Sequence, residues 1–226
     1  DHVNKKSNQM NIGQIKSSNL CCEILEYTSQ EETAVCNLAS ICLPECVIYD
    51  DQQLPYFNYD ELHRIVKIVT KNLNKIIDFN FYPIEKAKRS NLSHRPIGIG
   101  VQGLADTFIK MRFPFCSQEA RQLNKNIFET MYHASLEASM DIALKRKNLY
   151  NELQELLHNN TNKNRINEIN KYLKLNKYEI NNLENQYIGA YSSFMGSPLQ
   201  QGKFQFDLWN HTPSNRYDWE LLRTQI

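Results

Sequence analysis

The residues of this chain most able to do chemistry form the run Asn19-Leu20-Cys21-Cys22-Glu23. Side chains alternate between the two faces of an extended backbone. Asn19, Cys21 and Glu23 would then share one face, with Leu20 and Cys22 on the other. An amide, a thiol and a carboxylate would thus converge on one small volume.

A second thiol, Cys36, follows thirteen residues after Glu23, within the apolar segment Ala34 to Ser40. The two segments together predict thiol chemistry. Zinc sites use two close pairs of Cys or His, and Cys42-x-x-x-Cys46 has no second pair, so we expect no metal site.

The six cysteines are at positions 21, 22, 36, 42, 46 and 116. A disulfide framework is typical of small secreted chains, so a functional thiol pair is the better interpretation here. We expect Cys42, Cys46 and Cys116 to be small core residues.

Composition excludes several classes of protein. The 226 residues include 26 basic and 25 acidic side chains, so the net charge of +1 gives no general attraction to nucleic acid or to an anionic membrane. No apolar run approaches the ~18 residues of a membrane span, and the polar N-terminus does not look like a signal peptide. We expect a soluble, cytoplasmic protein. The chain begins without Met and stops in a helix predicted to start near Ser214, so we expect a fragment.

Local patterns predict several elements. The pieces 20–27 and 34–43 are short enough for strands or buried loops, with a polar turn from Thr28 to Thr33 between them. Asn58 and Glu61 have the spacing of a capping box. A helix follows, with apolar residues at helical spacing: Leu62, Ile65, Val66, Val69, Leu73, Ile76 and Ile77.

Gly98, Gly100 and Gly103 formally match a dinucleotide-binding fingerprint, but they lie within an apparent strand. We favour glycines that allow close backbone approach in a strand leading into a helix near Leu104 to Met111. A long helix is predicted from Ser117, with its inward residues at Leu123, Ile127, Met131, Ala134 and Ala138.

An Asn- and Lys-rich region divides the chain into 1–144, 145–186 and 187–226. The middle region contains no Gly or Pro and is interpreted as a peripheral helical or disordered insertion, in which a helical hairpin is possible. Leu153, Leu156, Leu157, Ile166, Ile169, Leu173, Ile180 and Leu183 could line that hairpin. Beyond it, Gly196-Ser197-Pro198 marks a turn, and the alternation from Phe204 to Trp209 predicts a strand or an edge segment.

Several motifs outside 145–186 are long and ordered enough to be specific. They are Ser18-Asn19-Leu20-Cys21-x-Glu23-Ile24, Glu26-Tyr27-Thr28, Ala34-Val35-Cys36-Asn37-Leu38-Ala39-Ser40, Asn72-Leu73-Asn74-Lys75-Ile76-Ile77-Asp78, Arg95-Pro96-Ile97-Gly98-Ile99-Gly100-Val101-Gln102-Gly103-Leu104-Ala105-Asp106, Gly196-Ser197-Pro198 and Trp209-Asn210-x-Thr212-Pro213. In these motifs the chain resembles the large catalytic subunit of class I ribonucleotide reductase. The resemblance implies an α/β fold, with 1–144 and 187–226 forming part of a ten-stranded α/β barrel and Cys21 on the loop inside it.

The resemblance also implies the reaction, the radical-based reduction of ribonucleoside diphosphates to 2'-deoxyribonucleoside diphosphates for DNA synthesis. Cys21 would be the thiyl radical that takes the 3'-hydrogen, Glu23 the general base for the 3'-hydroxyl, and Asn19 the residue that orients the sugar. The five residues from Asn19 to Glu23, including Leu20 and Cys22, would contact substrate. The resting Cys21 thiol is expected in an apolar, water-poor surrounding that keeps it protonated.

One departure concerns Cys22, where the family commonly has a non-thiol residue such as Thr. Two adjacent thiols are then candidates for the radical, and the extended alternation chooses Cys21. By resemblance, Cys36 would be one of the two redox-active thiols, and its partner would lie upstream of this chain.

The resemblance further implies partners outside this chain. They are a small subunit with a diiron-tyrosyl radical, thioredoxin or glutaredoxin as reductant, and a second large subunit in a homodimer. ATP and dNTP effectors would bind elsewhere in the subunit, and no cofactor would be held by this segment, which we expect to be inactive alone. Nucleic acid and membranes are not expected partners.

Two alternatives stay open. The chain could be a non-catalytic interaction module that uses the insertion as its binding surface. It could also belong to a related glycyl-radical enzyme, which shares the barrel. A glycyl-radical loop in the full gene would favour that second alternative.

Overall fold

Helices and short strands alternate along the chain. The computed structural model describes residues 2–22, 24–175 and 185–226. Within these ranges, no helix is both long and apolar enough to cross a membrane. Three residues with predicted roles lie outside the described residues: Glu23, Ile180 and Leu183.

The first long helix begins where its cap was predicted. A short helix α1 (His2–Lys6) lies near the N-terminus, and the long helix α2 spans Tyr59–Phe79. The Asn58 side chain accepts a hydrogen bond from the Glu61 backbone at 3.0 Å. The return half of the capping box is absent: the Asn58 backbone N–H donates to the Cys46 carbonyl at 2.8 Å, and the Glu61 carboxylate binds Arg64. The buried face comprises Leu62, Val66, Thr70, Leu73, Ile77 and Asp78, whereas Ile76 is partly exposed.

Helix α5 (Gln118–His158) packs against α2 and provides the other half of the main core. Ser117 caps it by accepting a hydrogen bond from the Ala120 backbone at 3.1 Å. All five residues predicted to face inward are buried: Leu123, Ile127, Met131, Ala134 and Ala138. The helix continues without a break through the proposed boundary at residue 145.

Two pairs of strands accompany these helices. Strands β1 (Asn37–Cys42) and β4 (Ile97–Gln102) pair in parallel, with Leu38 opposite Gly98. Between them in the chain, a 3₁₀ turn leads into the antiparallel pair β2 (Val47–Tyr49) and β3 (Pro55–Phe57). Within the described ranges the strands form these two sheets only.

One helix precedes β4 in the chain and another follows it. Helix α3 (Glu85–His94) ends just before β4. Helix α4 (Leu104–Lys110) begins just after it, and this confirms the helix predicted near Leu104 to Met111. Gly103 has φ 74°, and a Cβ there would lie 2.6 Å from the Pro44 ring. Both the conformation and the contact favour glycine.

The region 145–186 forms a helical hairpin over its described part. The second half of α5 packs on α6 (Lys163–Leu175), and the shared cluster is made of Leu153, Ile169 and Leu173 with partly buried neighbours. The predicted hairpin is therefore confirmed for the described residues. Leu157, which was expected to line it, is 53% exposed.

The strand predicted from Phe204 to Trp209 is wrong, because this segment forms the single-turn helix α7 (Gln205–Leu208). The Asp207 carboxylate accepts a hydrogen bond from the Phe204 backbone at 2.7 Å and closes the turn. Phe204 and Phe206 both pack on Trp219. The turn predicted at 196–198 is confirmed, with Gly196 at φ 76°.

The last helix, α8 (Trp219–Gln225), begins later than the predicted start near Ser214. Asp218 caps it by accepting from the Leu221 backbone at 2.9 Å. Ser214 instead binds the Glu129 carboxylate of α5 through its backbone N–H and its hydroxyl. These contacts hold the segment before α8 in a non-helical path.

The prediction that three cysteines are core residues holds for one of them. Cys46 is 1% exposed, whereas Cys42 and Cys116 are exposed. Cys42 ends β1 on its outward face, and Cys116 lies just before the cap of α5. Neither position faces the apolar core.

Candidate functional site

The segment from Asn19 to Cys22 is a tight turn. The Cys22 backbone N–H donates to the Asn19 carbonyl at 3.2 Å, and Cys22 has φ 63°. A left-handed residue reverses the chain, so the expected extended alternation of side chains is wrong for this segment. Glu23 lies outside the described residues. The choice of Cys21 over Cys22 therefore cannot rest on strand alternation.

Asn19 closes the loop with its side chain. Its Oδ1 accepts a hydrogen bond from the Ile24 backbone at 3.0 Å. Asn and Asp side chains commonly stabilise turns in this way. None of the hydrogen bonds among the described residues uses the Nδ2 of Asn19, which leaves that group as a donor for a ligand hydroxyl.

Both adjacent thiols lie on the surface of this turn. Cys21 and Cys22 are exposed, and Leu20 between Asn19 and Cys21 is 98% exposed. The Ser18 hydroxyl donates to the Cys22 sulfur at 3.5 Å. The expected apolar, water-poor surrounding of Cys21 is therefore wrong for this chain by itself, because no described element covers the turn.

Cys36 occupies a different environment, directly before β1. Its thiol is half-buried and packs against the backbone of β4. A Cβ at Gly98 would lie 3.2 Å from the Cys36 sulfur and 2.6 Å from the Leu38 side chain. The absence of a side chain at Gly98 therefore provides the space in which the thiol sits.

A carboxyl group that was not among the predicted site residues lies beside Cys36. Burial raises the pKa of Glu26, against smaller lowering effects from a hydrogen bond with Cys36 and from the charge of His94. Its Oε2 is buried and has no hydrogen-bond partner among the described residues. A carboxyl group in this setting favours its protonated form.

A short contact between a histidine and a carboxylate connects the end of α3 to the polar turn. His94, at the end of α3, lies 2.6 Å from the Glu32 carboxylate through its Nε2, and its side chain is 6% exposed. Ser29 closes the predicted polar turn by donating its backbone N–H to the Glu32 carbonyl at 2.9 Å. This turn reverses the chain, so Glu26 and Cys36 come to lie side by side although they are ten positions apart.

Cys36 and Glu26 line a cleft of about 700 Å³. The cleft lies between the N-terminal loop, β4, α5 and the segment 186–199. Its other walls include Leu38, Gly98, Tyr132 and Tyr191. Residues 19–22 are not among its described walls, so the structure does not bring Cys21 and Cys36 into one cavity.

Glu26 could have been found from sequence with one further step. It stands within the motif Glu26-Tyr27-Thr28, and its neighbours Leu25 and Tyr27 are apolar. Burial of a carboxyl raises its pKa, and groups with perturbed pKa values cluster at functional sites. Its distance to Cys36, however, depends on the turn at 29–32.

Comparison with known proteins gives one consistent result. The family model for the ribonucleotide reductase barrel domain matches residues 1–226. The chain is 46% identical to the ribonucleoside-diphosphate reductase large chain 2 of Saccharomyces cerevisiae over 227 residues, covering 100% of the chain and 21% of the yeast protein. It is 46% identical to the large subunit of Plasmodium falciparum and 45% identical to that of Caenorhabditis elegans.

The chain covers only part of these relatives. It spans 23% of the length of both the Plasmodium falciparum and the Caenorhabditis elegans proteins, and all of its own length is matched. About a fifth of a large-subunit sequence is thus represented in these 226 residues.

Proposed function

Because the chain belongs to the ribonucleotide reductase large-subunit family through its barrel domain, we propose that it contributes catalytic residues to the reduction of ribonucleoside diphosphates. The product would be the 2'-deoxyribonucleoside diphosphate. The observation that carries the proposal is the match over residues 1–226, which includes the Asn19-x-Cys21-x-Glu23 run.

In this proposal Cys21 carries a transient thiyl radical that abstracts the 3'-hydrogen of the ribose. An S–H bond is close enough in strength to a sugar C–H bond for the transfer to be reversible. Glu23 accepts the 3'-hydroxyl proton, which eases departure of the 2'-hydroxyl as water. The Nδ2 of Asn19 donates to a sugar hydroxyl, while its Oδ1 holds the turn through Ile24.

Cys36 supplies one of the two thiols that deliver the two electrons of the reduction and become a disulfide. The second thiol is proposed to lie outside this chain. Glu26, with its raised pKa and its contact with Cys36, is suited to hold a proton beside that sulfur as the thiol is consumed. A thioredoxin or glutaredoxin would then reduce the disulfide.

The remaining parts of the proposal concern the whole protein. The parallel pair β1 and β4, flanked by helices, suits one section of an α/β barrel, and we propose that the rest of the large subunit closes the ten-stranded barrel. We propose that the radical originates in a small subunit and that large subunits pair as homodimers. ATP and dNTP effectors would bind outside these residues.

The experiment is a steady-state assay of deoxyribonucleotide formation by the full-length gene product that contains these residues, supplied with its small subunit and thioredoxin. We expect turnover in the unmodified protein and a loss of at least about 100-fold in Cys36→Ser, because one of the two electron-donating thiols is removed. Cys42→Ser is the control, since this exposed thiol lies outside the cleft.

Two results would contradict the proposal. A purified, folded protein with its small subunit that reduces no ribonucleoside diphosphate would remove the reductase assignment. Normal steady-state rates in Cys36→Ser would remove Cys36 from the redox pair.

A further inference from the structure

Three metal-ligating side chains meet between α2 and α5, away from Cys21 and Cys36. They are His63 on α2 and His133 and Glu137 on α5. One ligand atom from each lies within 4.8 Å of the other two. His133 and Glu137 stand four positions apart, so they share one helix face.

Two of the three distances between ligand atoms match those of a metal site. The His63 Nε2 lies 3.0 Å from the His133 Nδ1 and 3.3 Å from the Glu137 Oε2. In a tetrahedral zinc site with bonds of about 2.0 Å, neighbouring ligand atoms are about 3.3 Å apart. The third pair of ligand atoms, on His133 and Glu137, lies within 4.8 Å.

Hydrogen bonds alone cannot satisfy all three ligand atoms. His133 Nδ1 and the Glu137 carboxylate both approach the same His63 nitrogen, which can carry only one hydrogen. A metal ion would bind all three lone pairs at once.

The cluster is held in place by its surroundings. The Tyr217 ring stacks on His133 with centroids 4.2 Å apart and on His63 at 5.6 Å. The Tyr217 hydroxyl donates to Thr130 of α5 at 3.0 Å, which fixes this ring over the imidazoles. Side-chain exposure of 20% for His63 and 31% for Glu137 leaves an entry path for an ion.

One cation already competes for the site. Lys67 Nζ lies 3.2 Å from the Glu137 Oε2 and 3.3 Å from the Asp141 carboxylate. Lys71 also binds Asp141, at 3.1 Å. Lys67 can therefore keep an ion pair with Asp141 when Glu137 turns its charge toward a metal. Its positive charge should weaken metal binding without preventing it.

We propose that His63, His133 and Glu137 form a binding site for a divalent transition-metal ion, with zinc as the best fit, that joins α2 to α5. Two imidazole nitrogens and one carboxylate oxygen suit zinc, and water would complete the tetrahedron. The proposal does not depend on the reductase activity. This cluster has no local signature in the sequence, because His63 and His133 are 70 positions apart.

The test is zinc binding to the full-length gene product, measured by competition with a chromophoric chelator. Accessible thiols are alkylated first, because exposed cysteines also bind zinc. We expect one equivalent of zinc to bind to the alkylated protein of unchanged sequence. We expect Glu137→Gln and His63→Ala each to weaken its binding at least about 10-fold, since each removes a ligand. His158→Ala is the control, because this exposed histidine ends the same helix and lies outside the cluster.

A further variant is expected to increase the zinc affinity rather than to reduce it. Lys67→Met keeps the aliphatic stem and removes the competing charge, so zinc should bind more tightly. Cobalt provides an independent readout, since its visible spectrum should show tetrahedral coordination without a thiolate charge-transfer band.

Three results would overturn the proposal. They are no zinc bound by the unmodified protein, equal affinity in the unmodified protein and Glu137→Gln, or a loss in Lys67→Met as large as that in Glu137→Gln. The last would mean that helix packing, rather than ligation, controls binding. Glu137→Gln preserves side-chain shape, so it decides the question if His63→Ala does not fold.

Discussion

At the scale of single residues, the two thiol segments differ in what surrounds them. Cys21 stands on an exposed turn that Asn19 closes, while Cys36 is half-buried against Gly98 beside a carboxyl group. Glu26 provides that carboxyl, and its burial favours the protonated form. The half-buried thiol thus has beside it a carboxyl group whose pKa is raised by burial.

The raised pKa of Glu26 predicts a pH-dependent stability. A carboxyl whose folded pKa exceeds its unfolded value of about 4.5 stabilises the fold below that value, and this stability is lost as the pH rises through the folded pKa. Glu26→Gln, which stays neutral, should therefore raise the melting temperature more at pH 7 than at pH 4. Thermal unfolding followed by circular dichroism measures the difference.

The control for this prediction is Glu155→Gln, an exposed carboxylate on α5. It should change the melting temperature little at either pH. If Glu26→Gln lowers the melting temperature at pH 7, the carboxylate is ionised and stabilising in the folded protein, and its proposed role beside Cys36 fails.

At the scale of elements, a buried ion pair connects α2 to the start of β4. Arg95 donates to both oxygens of Asp78 at 3.0 and 3.1 Å, and to the Asn74 carbonyl at 2.7 Å. The Arg95 and Asp78 side chains are 8% and 2% exposed. Arg95 also has φ 49°, so it ends α3. The chain then enters β4, the strand against which the Cys36 thiol packs.

Asp78→Asn should destabilise the fold by about 3 kcal/mol, because removing one partner leaves a buried guanidinium without its counter-charge. Chemical denaturation measures the change in the free energy of unfolding. Glu61→Gln breaks the exposed pair with Arg64 on the same helix and should have little effect. Equal effects of the two substitutions would show that burial does not make the Arg95 pair important.

The elements that could be predicted from sequence are those with local signals. Helices α2 and α5 have a capping residue followed by apolar residues at helical spacing, and both were predicted. All five inward residues predicted for α5 are buried, and so are four predicted for α2: Leu62, Val66, Leu73 and Ile77. Helix α7 was missed because Phe204 and Phe206 fit either a strand or one helical turn. The contacts with Tyr132 and Trp219 that decide between them come from distant positions.

The site divides in the same way. The candidate site residues were identified from family motifs. The turn at Asn19 to Cys22, however, depends on the left-handed backbone of Cys22, and this conformation cannot be predicted from the residue type. The neighbours of Cys36 depend on the chain reversal at 29–32 and on the register of β1 with β4. Such contacts between distant positions have no local signature.

At the scale of the whole molecule, the chain represents about a fifth of its relatives' length, and this bears on the exposed turn. A thiyl radical requires protection from water and from side reactions. We therefore expect other parts of the large subunit to cover Cys21. Leu20, at 98% exposure, is the apolar residue beside it that such a cover would bury.

Alkylation rates test this expectation. In the full-length protein, Cys21 should react with iodoacetamide at least about 10-fold more slowly than in the 226-residue segment expressed alone, because burial limits access to the thiol. Mass spectrometry of the peptides gives each rate. Slow reaction of Cys46, which is 1% exposed, verifies that the segment is folded. Equal Cys21 rates in the two proteins would contradict the proposed cover.

The central claim is that Cys21, and not its neighbour, carries the radical. The most direct measurement is deoxyribonucleotide formation by full-length Cys21→Ser and Cys22→Ser proteins, each supplied with the small subunit and reductant. The two variants make the same chemical change at adjacent exposed positions. We predict that Cys21→Ser abolishes turnover while keeping folding and nucleotide binding, and that Cys22→Ser retains turnover within about 10-fold. Turnover in Cys21→Ser, or its loss only in Cys22→Ser, would contradict the account.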